Sequence, residues 1–517
     1  MVAGPSVAPR RSTTLLQATA GGLLTETAFP DRSWWVMAAV GVMLLVLALR
    51  RDSARWSGLI GLVWGLAFFL PHVWWAAQAA GLLAWLALAV LQAGLVAMGT
   101  AAWAWTRRAP RLGEHGPLAT VAFAVTWVAV EQLRSGWPFG GFPWGRLAFS
   151  QTDGPLVRLA WLGGAPLVSA AVAGSGFLLA AAWLAWRRHE RSSAVAMVAV
   201  VVALPLLSAR LTLANDAQSG TLRVAAVQGN AVPAGAADRA RAVLDNHVAG
   251  TVALREAVAH RGLDLVLWPE NATDVDPRAD PDAAAAVERA ARAVSAPILV
   301  GTDRYADGGR YNEMVLWQPG HGPAFAYAKQ RPAPFGEYVP LRGLVRLFSS
   351  EVERVGVDML AGTRPALVPL DSLRLGRQVS LATAICFEVA FDDLVRDAVR
   401  DGAELLVVPT NNASFGRTAE STQQLAMSRL RAVEHGRAAV QISTVGVSAV
   451  IAPDGAVQQR TDLFTADAML AELPLRTSLT PADRLGDAPV AITVALAMVG
   501  VVGGVAVTRG RTRTLHA

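Results

Sequence analysis

Two residue types occur once each in this 517-residue chain, and both are reactive: Cys386 is the single cysteine, and Lys329 is the single lysine beside 45 arginines. A thiol attacks carbonyl carbon once it is deprotonated. A compact ammonium suits a site beside developing negative charge where a planar guanidinium does not fit, and its pKa moves readily on burial. The third candidate is Glu270, which ends the run Leu-Val-Leu-Trp-Pro-Glu and so sets a carboxylate where a buried strand emerges. Each has a plainer reading alone: a small core cysteine, one lysine left by chance in an arginine-biased chain, a surface glutamate closing a strand. Together they form a workable acyl-transfer set. Cys386 would attack an ester carbonyl as thiolate, Glu270 would move protons, and Lys329 would steady negative charge. No histidine is needed as base, and His435, on an expected helix, reads as structural. One cysteine excludes an intramolecular disulfide and a Cys-based zinc cluster; neither a metal nor another cofactor is expected.

The elements that would position these residues lie between about 215 and 485. Apolar, β-branched runs predict strands at Leu222–Gln228, Leu263–Trp268, Pro297–Gly301, Met314–Trp317, Val379–Cys386, Leu405–Pro409 and Val440–Thr444. Ala/Arg/Glu-rich stretches predict helices over Ala237–His260, Asp280–Val294, Phe391–Arg400 and Thr418–Gly436. This alternation argues an α/β domain with a buried sheet. Loops are expected at Ala234–Ala237 and Pro481–Asp487, and there is no internal repeat or long low-complexity segment.

The rest of the chain is of another kind. The hydrophobic fraction is 53%, the charged fraction 17% and the mean hydropathy +0.36, too apolar for a purely soluble protein. Spans are expected near 13–29, 33–49, 56–77, 80–105, 118–135, 166–186, 192–209 and 489–507, the first of them interrupted by Glu26. The chain thus reads as a multi-span α-helical membrane domain over 1–210 with about seven spans, an α/β domain over 215–485, and a last span with a short tail over 489–517. Arginine clusters at 10–11, 50–55, 107–111, 187–191 and 509–513 alternate with loops that carry few cations; 71–79 carries none. By the positive-inside rule both termini are cytoplasmic and the α/β domain is extracytoplasmic. The N-terminus lacks a cleavage-site pattern after a single apolar run, so it does not read as a removed signal peptide. The pI near 10.3 does not imply nucleic acid, because the arginines flank apolar runs and form no single patch.

Glu270, Lys329 and Cys386, in that order on strand ends, resemble the triad of the carbon–nitrogen hydrolase (nitrilase) superfamily. The context is narrower. Lys329 begins Lys-Gln-Arg-Pro-Ala-Pro-Phe-Gly-Glu-Tyr-Val-Pro, whose Pro334–Glu337 is similar to the segment after the lysine in the apolipoprotein N-acyltransferase family. Val227–Asn230, Tyr311-Asn312 and Arg429–Gly436 are also similar. In the membrane part so are Trp127, Glu131 and Arg134, then Gly141–Trp144 and Ser150–Pro155.

The resemblance implies a nitrilase-like α/β sandwich on an eight-helix membrane base, in a bacterial cytoplasmic membrane. It implies a ping-pong reaction: Cys386 takes an acyl chain from a phospholipid as a thioester, and the α-amine of a diacylglyceryl-cysteine lipoprotein then takes it as an amide. An essential second glutamate maps onto Glu337, and Glu388 and Phe387 follow the cysteine as supporting residues. Phe335, Tyr338, Asn411, Phe415 and Trp144 are expected substrate or lipid contacts. Trp137, Phe139, Phe142 and Trp144 fit the interface, either as lipid contacts or as plain aromatic anchors. Glu131 and Arg134, near a span end, are expected to pair with each other or with a neighbour. Departures from the family pattern are Phe387 for a tyrosine, Ser414 for a tryptophan, no tryptophan at the usual distance after Asn230, and Thr444-Val445-Gly446 for Asn-Asn-Gly. They bear on acyl-chain and acceptor preference. Two other readings stay open: a membrane-tethered amidase that passes the acyl group to water, and a scaffold that recruits a polyprenol-phosphate glycosyltransferase.

Overall fold

The computed structural model describes residues 9–109, 116–231, 238–260, 262–347, 352–353 and 355–514. The expected loop Ala234–Ala237, Arg111 and the side chains of 509–514 lie outside the described residues. The chain forms two compact units, one of residues 1–77, 82–212 and 485–517, the other of 78–81 and 213–484.

In the first unit the helices are α1 (Arg11–Glu26), α2 (Val36–Ala48), α3 (Ala54–His72), the short α4 (Trp75–Ala80, at the boundary), α5 (Leu82–Thr106), α6 (Pro117–Gly136), α7 (Ala160–Arg187) and α8 (Arg191–Ser208). They fall on the expected apolar segments. Among the described residues five helices, counting one at the C-terminal end, are long and apolar enough to cross a membrane; α2, with 13 residues, is shorter. Ser53 caps α3 by accepting the N–H of Trp56 at 3.2 Å, which satisfies one of the donors a helix start leaves unpaired. Glu131 and Arg134 are both buried, and each serves a neighbour. Arg134 donates to the carbonyls of Phe142 (3.2 Å) and Trp144 (2.6 Å), while Glu131 accepts from Trp127 Nε1 (3.0 Å) and from the Leu147 N–H (2.9 Å). Trp144 departs from expectation. It is 2% exposed and packs edge-on against Trp75, so it is core, whereas Trp137 and Phe139 are exposed.

The second unit carries the strands β1 (Thr221–Gln228), β2 (Leu265–Leu267), β3 (Ile298–Ala306), β4 (Gly309–Gln318), β5 (Gly322–Ala328), β6 (Leu367–Ser372), β7 (Arg377–Thr383), β8 (Leu405–Thr410), β9 (Ala439–Ser443), β10 (Ala449–Ile451), β11 (Val457–Arg460) and β12 (Asp467–Pro474). They form two six-stranded sheets, ordered β12-β1-β2-β3-β4-β5 and β11-β10-β9-β8-β7-β6. The centre of each is parallel, β1-β2-β3 in one and β7-β8-β9 in the other, with antiparallel strands outside. Parallel pairing needs crossover helices. These are α9 (Arg239–Ala253), α10 (Arg255–Val258), α11 (Pro281–Val294), α13 (Asp392–Arg400) and α14 (Glu420–His435); the short α12 (Arg342–Val345) lies between β5 and β6, in different sheets, and after β12 come α15 (Pro481–Leu485) and, in the first unit, α16 (Ala488–Thr514).

Local chemistry explains α11 well. Asp280 accepts the Ala283 N–H at 2.8 Å, Pro281 opens the first turn, and Ser295 ends the helix in a left-handed conformation. Its buried face, Ala283, Ala286, Val287, Ala290, Ala291 and Val294, has helical spacing. Three expectations change. The helix over Ala237–His260 breaks into α9 and α10. The loop at Pro481–Asp487 contains α15. The strand expected to end at Cys386 stops at Thr383, because the chain turns there into a 3-10 segment, Cys386–Ala390.

Candidate active site

Strand ends and the turns after them supply each reactive side chain. After β2 the chain runs through Trp268 and Pro269 to Glu270, which is 3% exposed. β3 passes this turn closely at Gly301, where a Cβ would stand 2.2 Å from the Pro269 carbonyl oxygen and 2.8 Å from Glu270 Cα. Only glycine permits that approach. β5 delivers Lys329, whose N–H bonds to the Asn312 carbonyl at 2.9 Å and whose side chain is fully buried. β7 leads to Cys386, which has φ +53°. A left-handed conformation is strained for a residue with a Cβ, and such strain persists where the surroundings over-determine it.

The groups meet around one ammonium. Lys329 Nζ lies 3.2 Å from Glu270 Oε1 and 2.6 Å from Glu337 Oε1. Glu270 Oε1 also accepts from Asn312 Nδ2 at 2.6 Å, while Oε2 accepts the Asn411 N–H at 2.8 Å. The Glu270 carbonyl takes a bond from Thr444 Oγ1 at 3.1 Å. Glu337 Oε2 accepts the Ala333 N–H at 2.6 Å, so its loop is closed on itself. Glu388 is a clamp. Its carboxylate accepts the N–H groups of Gln330 (2.6 Å), Arg331 (3.0 Å) and Ile385 (2.8 Å), and the Tyr327 hydroxyl at 3.0 Å. It thereby joins the turn after Lys329 to the turn before Cys386.

Charge balance follows from burial. Burial works against the Lys329 ammonium, but Glu270 and Glu337 overcome it and hold its pKa well above the usual lysine value. Burial raises Glu270 and Lys329 opposes it; the outcome is a carboxyl above the ordinary range. Burial and then the Glu270 charge push the Cys386 thiol up, against the pull of Lys329. Burial thus favours the neutral thiol of Cys386. Burial pushes Glu388 up to about 7.

The other expected residues lie as follows. Phe387 is buried edge-on against Phe391. Phe335 is 39% exposed with φ +65°, and its N–H bonds to the Tyr338 carbonyl at 2.7 Å. Phe415 bonds through its N–H to the Asn412 carbonyl at 3.1 Å. Asn411, expected as a substrate contact, instead turns its backbone to Glu270 and its side-chain oxygen to the Ala413 N–H. His435 is buried with Nδ1 2.6 Å from Asp483 Oδ1, in the structural role expected of it. Sequence reasoning did not give Asn312 a role, although Tyr311-Asn312 was among the motifs that carried the resemblance. Tyr327 left no local signal, since its partner Glu388 is 61 residues away, and Asn412 and Glu420, eight residues apart, were given no role.

Residues 21–178 match the family model for the apolipoprotein N-acyltransferase N-terminal domain, and 223–479 match that for carbon-nitrogen hydrolase. An apolipoprotein N-acyltransferase of Mycolicibacterium smegmatis is 40% identical, over 94% of this chain and 84% of its own length. Relatives of the same name in Azotobacter vinelandii and Pseudomonas putida are 32% and 31% identical. They are matched over 90% and 93% of this chain and over 90% and 95% of their own lengths. Both halves of the chain, with Glu270, Lys329 and Cys386 inside the second match, thus carry one assignment: the chain belongs to the apolipoprotein N-acyltransferase family.

Proposed function

We propose that the protein transfers an acyl chain from a phospholipid to the α-amine of a diacylglyceryl-cysteine lipoprotein, in two half-reactions through Cys386. The observation that supports this most is the buried cluster of Glu270, Lys329 and Glu337 that shares one electrostatic environment with the only thiol. In the first half-reaction Glu270 takes the thiol proton as sulfur adds to the ester carbonyl. Lys329 faces the negative charge on the carbonyl oxygen. Collapse expels the lysophospholipid alkoxide, which takes the proton from Glu270 and leaves a thioester. In the second, the amine adds to the thioester and gives a proton to Glu270. The thiolate leaves and recovers that proton, and an amide remains.

Both substrates are lipid-anchored, which fits a chain with apolar helices of spanning length. We place the work at the bacterial cytoplasmic membrane with residues 215–485 on the outer side, and expect no cofactor. The exposed Phe335 suits contact with an acyl chain.

The test is the mass of the intact protein after incubation with phosphatidylethanolamine of one defined chain, followed by a diacylglyceryl-cysteine lipopeptide. One acyl mass gained on Cys386 and then passed to the lipopeptide is expected. Cys386→Ser should fold and gain nothing, since a serine hydroxyl is far less acidic than a thiol. An adduct lost to water as fast as to the amine would make the chain a hydrolase instead. No adduct with any phospholipid would remove the donor assignment.

A further inference from the structure

The turn after β8 carries two neighbouring asparagines with different tasks. Asn411 gives its N–H to Glu270 Oε2. Asn412 is 1% exposed, and its side chain is fixed on two sides. Nδ2 donates to Glu420 Oε2 at 2.7 Å and to Gln424 Oε1 at 3.0 Å, while Oδ1 accepts from Ser443 Oγ at 2.6 Å. Gly446 presses on the same amide, for a Cβ there would stand 2.1 Å from Asn412 Oδ1. Glu420 is the first residue of α14 and 2% exposed.

We propose that Glu420 is a positioning residue: by anchoring Asn412 it fixes the Asn411 N–H that orients Glu270 Oε2 for proton transfer with Cys386. The inference rests on acylation of Cys386 as proposed above.

Glu420 does this as a neutral acid. Among the described residues, the charged or titrating groups that face it are Glu270 and Cys386. Burial pushes its carboxyl up to about 8, against the Asn412 hydrogen bond and with the Glu270 charge. The N-terminus of α14 favours the anion, but burial outweighs it. At neutral pH the carbonyl oxygen accepts from Asn412 and no charge is added beside the triad. As pH rises through about 8 the new carboxylate faces Glu270 and Cys386. A like charge disfavours the thiolate that attack requires, so acylation slows on the alkaline side.

The experiment is a pH series of Cys386 acylation by p-nitrophenyl butyrate, read as release of nitrophenol and as butyryl mass on the full-length protein. Wild type, Glu420→Gln and Glu420→Ala are compared, each shown to be folded by thermal melting. Glutamine keeps an acceptor for Asn412 and cannot ionise. We expect Glu420→Gln to acylate within about twofold of wild type at pH 7 and to lack the alkaline decline. Glu420→Ala should be about 10- to 100-fold slower, the scale of a small misplacement of a reacting group. Equal rates for Glu420→Ala and wild type would overturn the positioning role. The same result follows if Glu420→Gln is as slow as Glu420→Ala, or if it keeps the wild-type alkaline decline. The butyrate ester separates this from the donor assignment. If wild type accepts butyryl but no phospholipid acyl chain, the proposed donor fails and the role of Glu420 is still decided. If wild type accepts neither, the nucleophile assignment fails and this inference falls with it.

Discussion

Lys329 is held between Glu270 at 3.2 Å and Glu337 at 2.6 Å, with none of its side chain in solvent. A guanidinium is larger and planar, and its donors form a rigid fork that cannot reproduce two contacts made by one nitrogen. Lys329→Arg should therefore be nearly as damaging as Lys329→Ala although it keeps the charge. Losing one donor to a developing oxyanion typically costs about 10²–10³ in rate. Single-turnover acylation of Cys386 measures this; an arginine variant within about threefold of wild type, far less than one lost donor costs, would reduce Lys329 to a mere charge. Glu388 is a different case, since it binds backbone N–H groups and the Tyr327 hydroxyl. Glu388→Gln would turn an amide NH2 toward backbone N–H groups now bound by the carboxylate. An unsatisfied buried donor costs about 1–3 kcal/mol. We expect a lower melting temperature together with slower acylation; an unchanged melting curve would show that the clamp carries no stability.

At the scale of elements, the triad depends on how closely two strands and a turn approach. A methyl group on Gly301 would meet backbone atoms of Pro269 and Glu270, which cannot swing aside as a flexible side chain does. Overpacking of this kind costs typically about 1–3 kcal/mol, and here the strain falls on Glu270, the proposed base. Gly301→Ala should lower both the melting temperature and the rate of Cys386 acylation; a variant with normal rate would show that the turn has slack. The central strands β1, β2, β3, β8 and β9 were legible in the sequence because buried parallel strands are nearly continuous apolar runs. β5 was not, although it leads into Lys329: Gly-Pro-Ala-Phe-Ala-Tyr-Ala has weak strand preference and lies at a sheet edge. β6, with Pro369, is an edge strand for the same reason. Cys386 was found by its rarity, but its left-handed turn had no sequence signal, since that conformation is unusual for cysteine. The bonds from Asn312 and Asn411 to Glu270 cross 42 and 141 residues of chain, beyond any local pattern.

At the scale of the molecule, two of the arginine clusters that alternate along the sequence, 50–55 and 107–111, are joined within the first unit. Arg51 donates to the Pro9 carbonyl at 2.7 Å, and Arg107 to the Leu49 carbonyl at 2.6 Å. Arg108 pairs with Asp52 at 2.9 Å and donates to Thr508 Oγ1 at 3.2 Å. Four chain segments far apart in sequence thus meet, and two of them bring the arginines Arg51, Arg107 and Arg108 to one end of the helices. Cations near span ends are retained on the cytoplasmic side, and short flanking loops count most. That end should be cytoplasmic, and the C-terminus, nine residues beyond Thr508, should be there too. Residues 215–485 are entered from α8 and left through α16, and on the positive-inside reading they should lie on the opposite side. The prediction is read with a reporter enzyme that is active only in the cytoplasm, fused after Asp371 in β6 or after Ala517. The first fusion should be silent and the second active. Both must be produced in equal amount, because a silent fusion that is simply degraded says nothing about sides. A reporter active after Asp371 and silent after Ala517 would reverse the orientation. It would also remove the argument for lipoprotein acceptors, because the reacting groups would then face the compartment from which lipoproteins have already been exported.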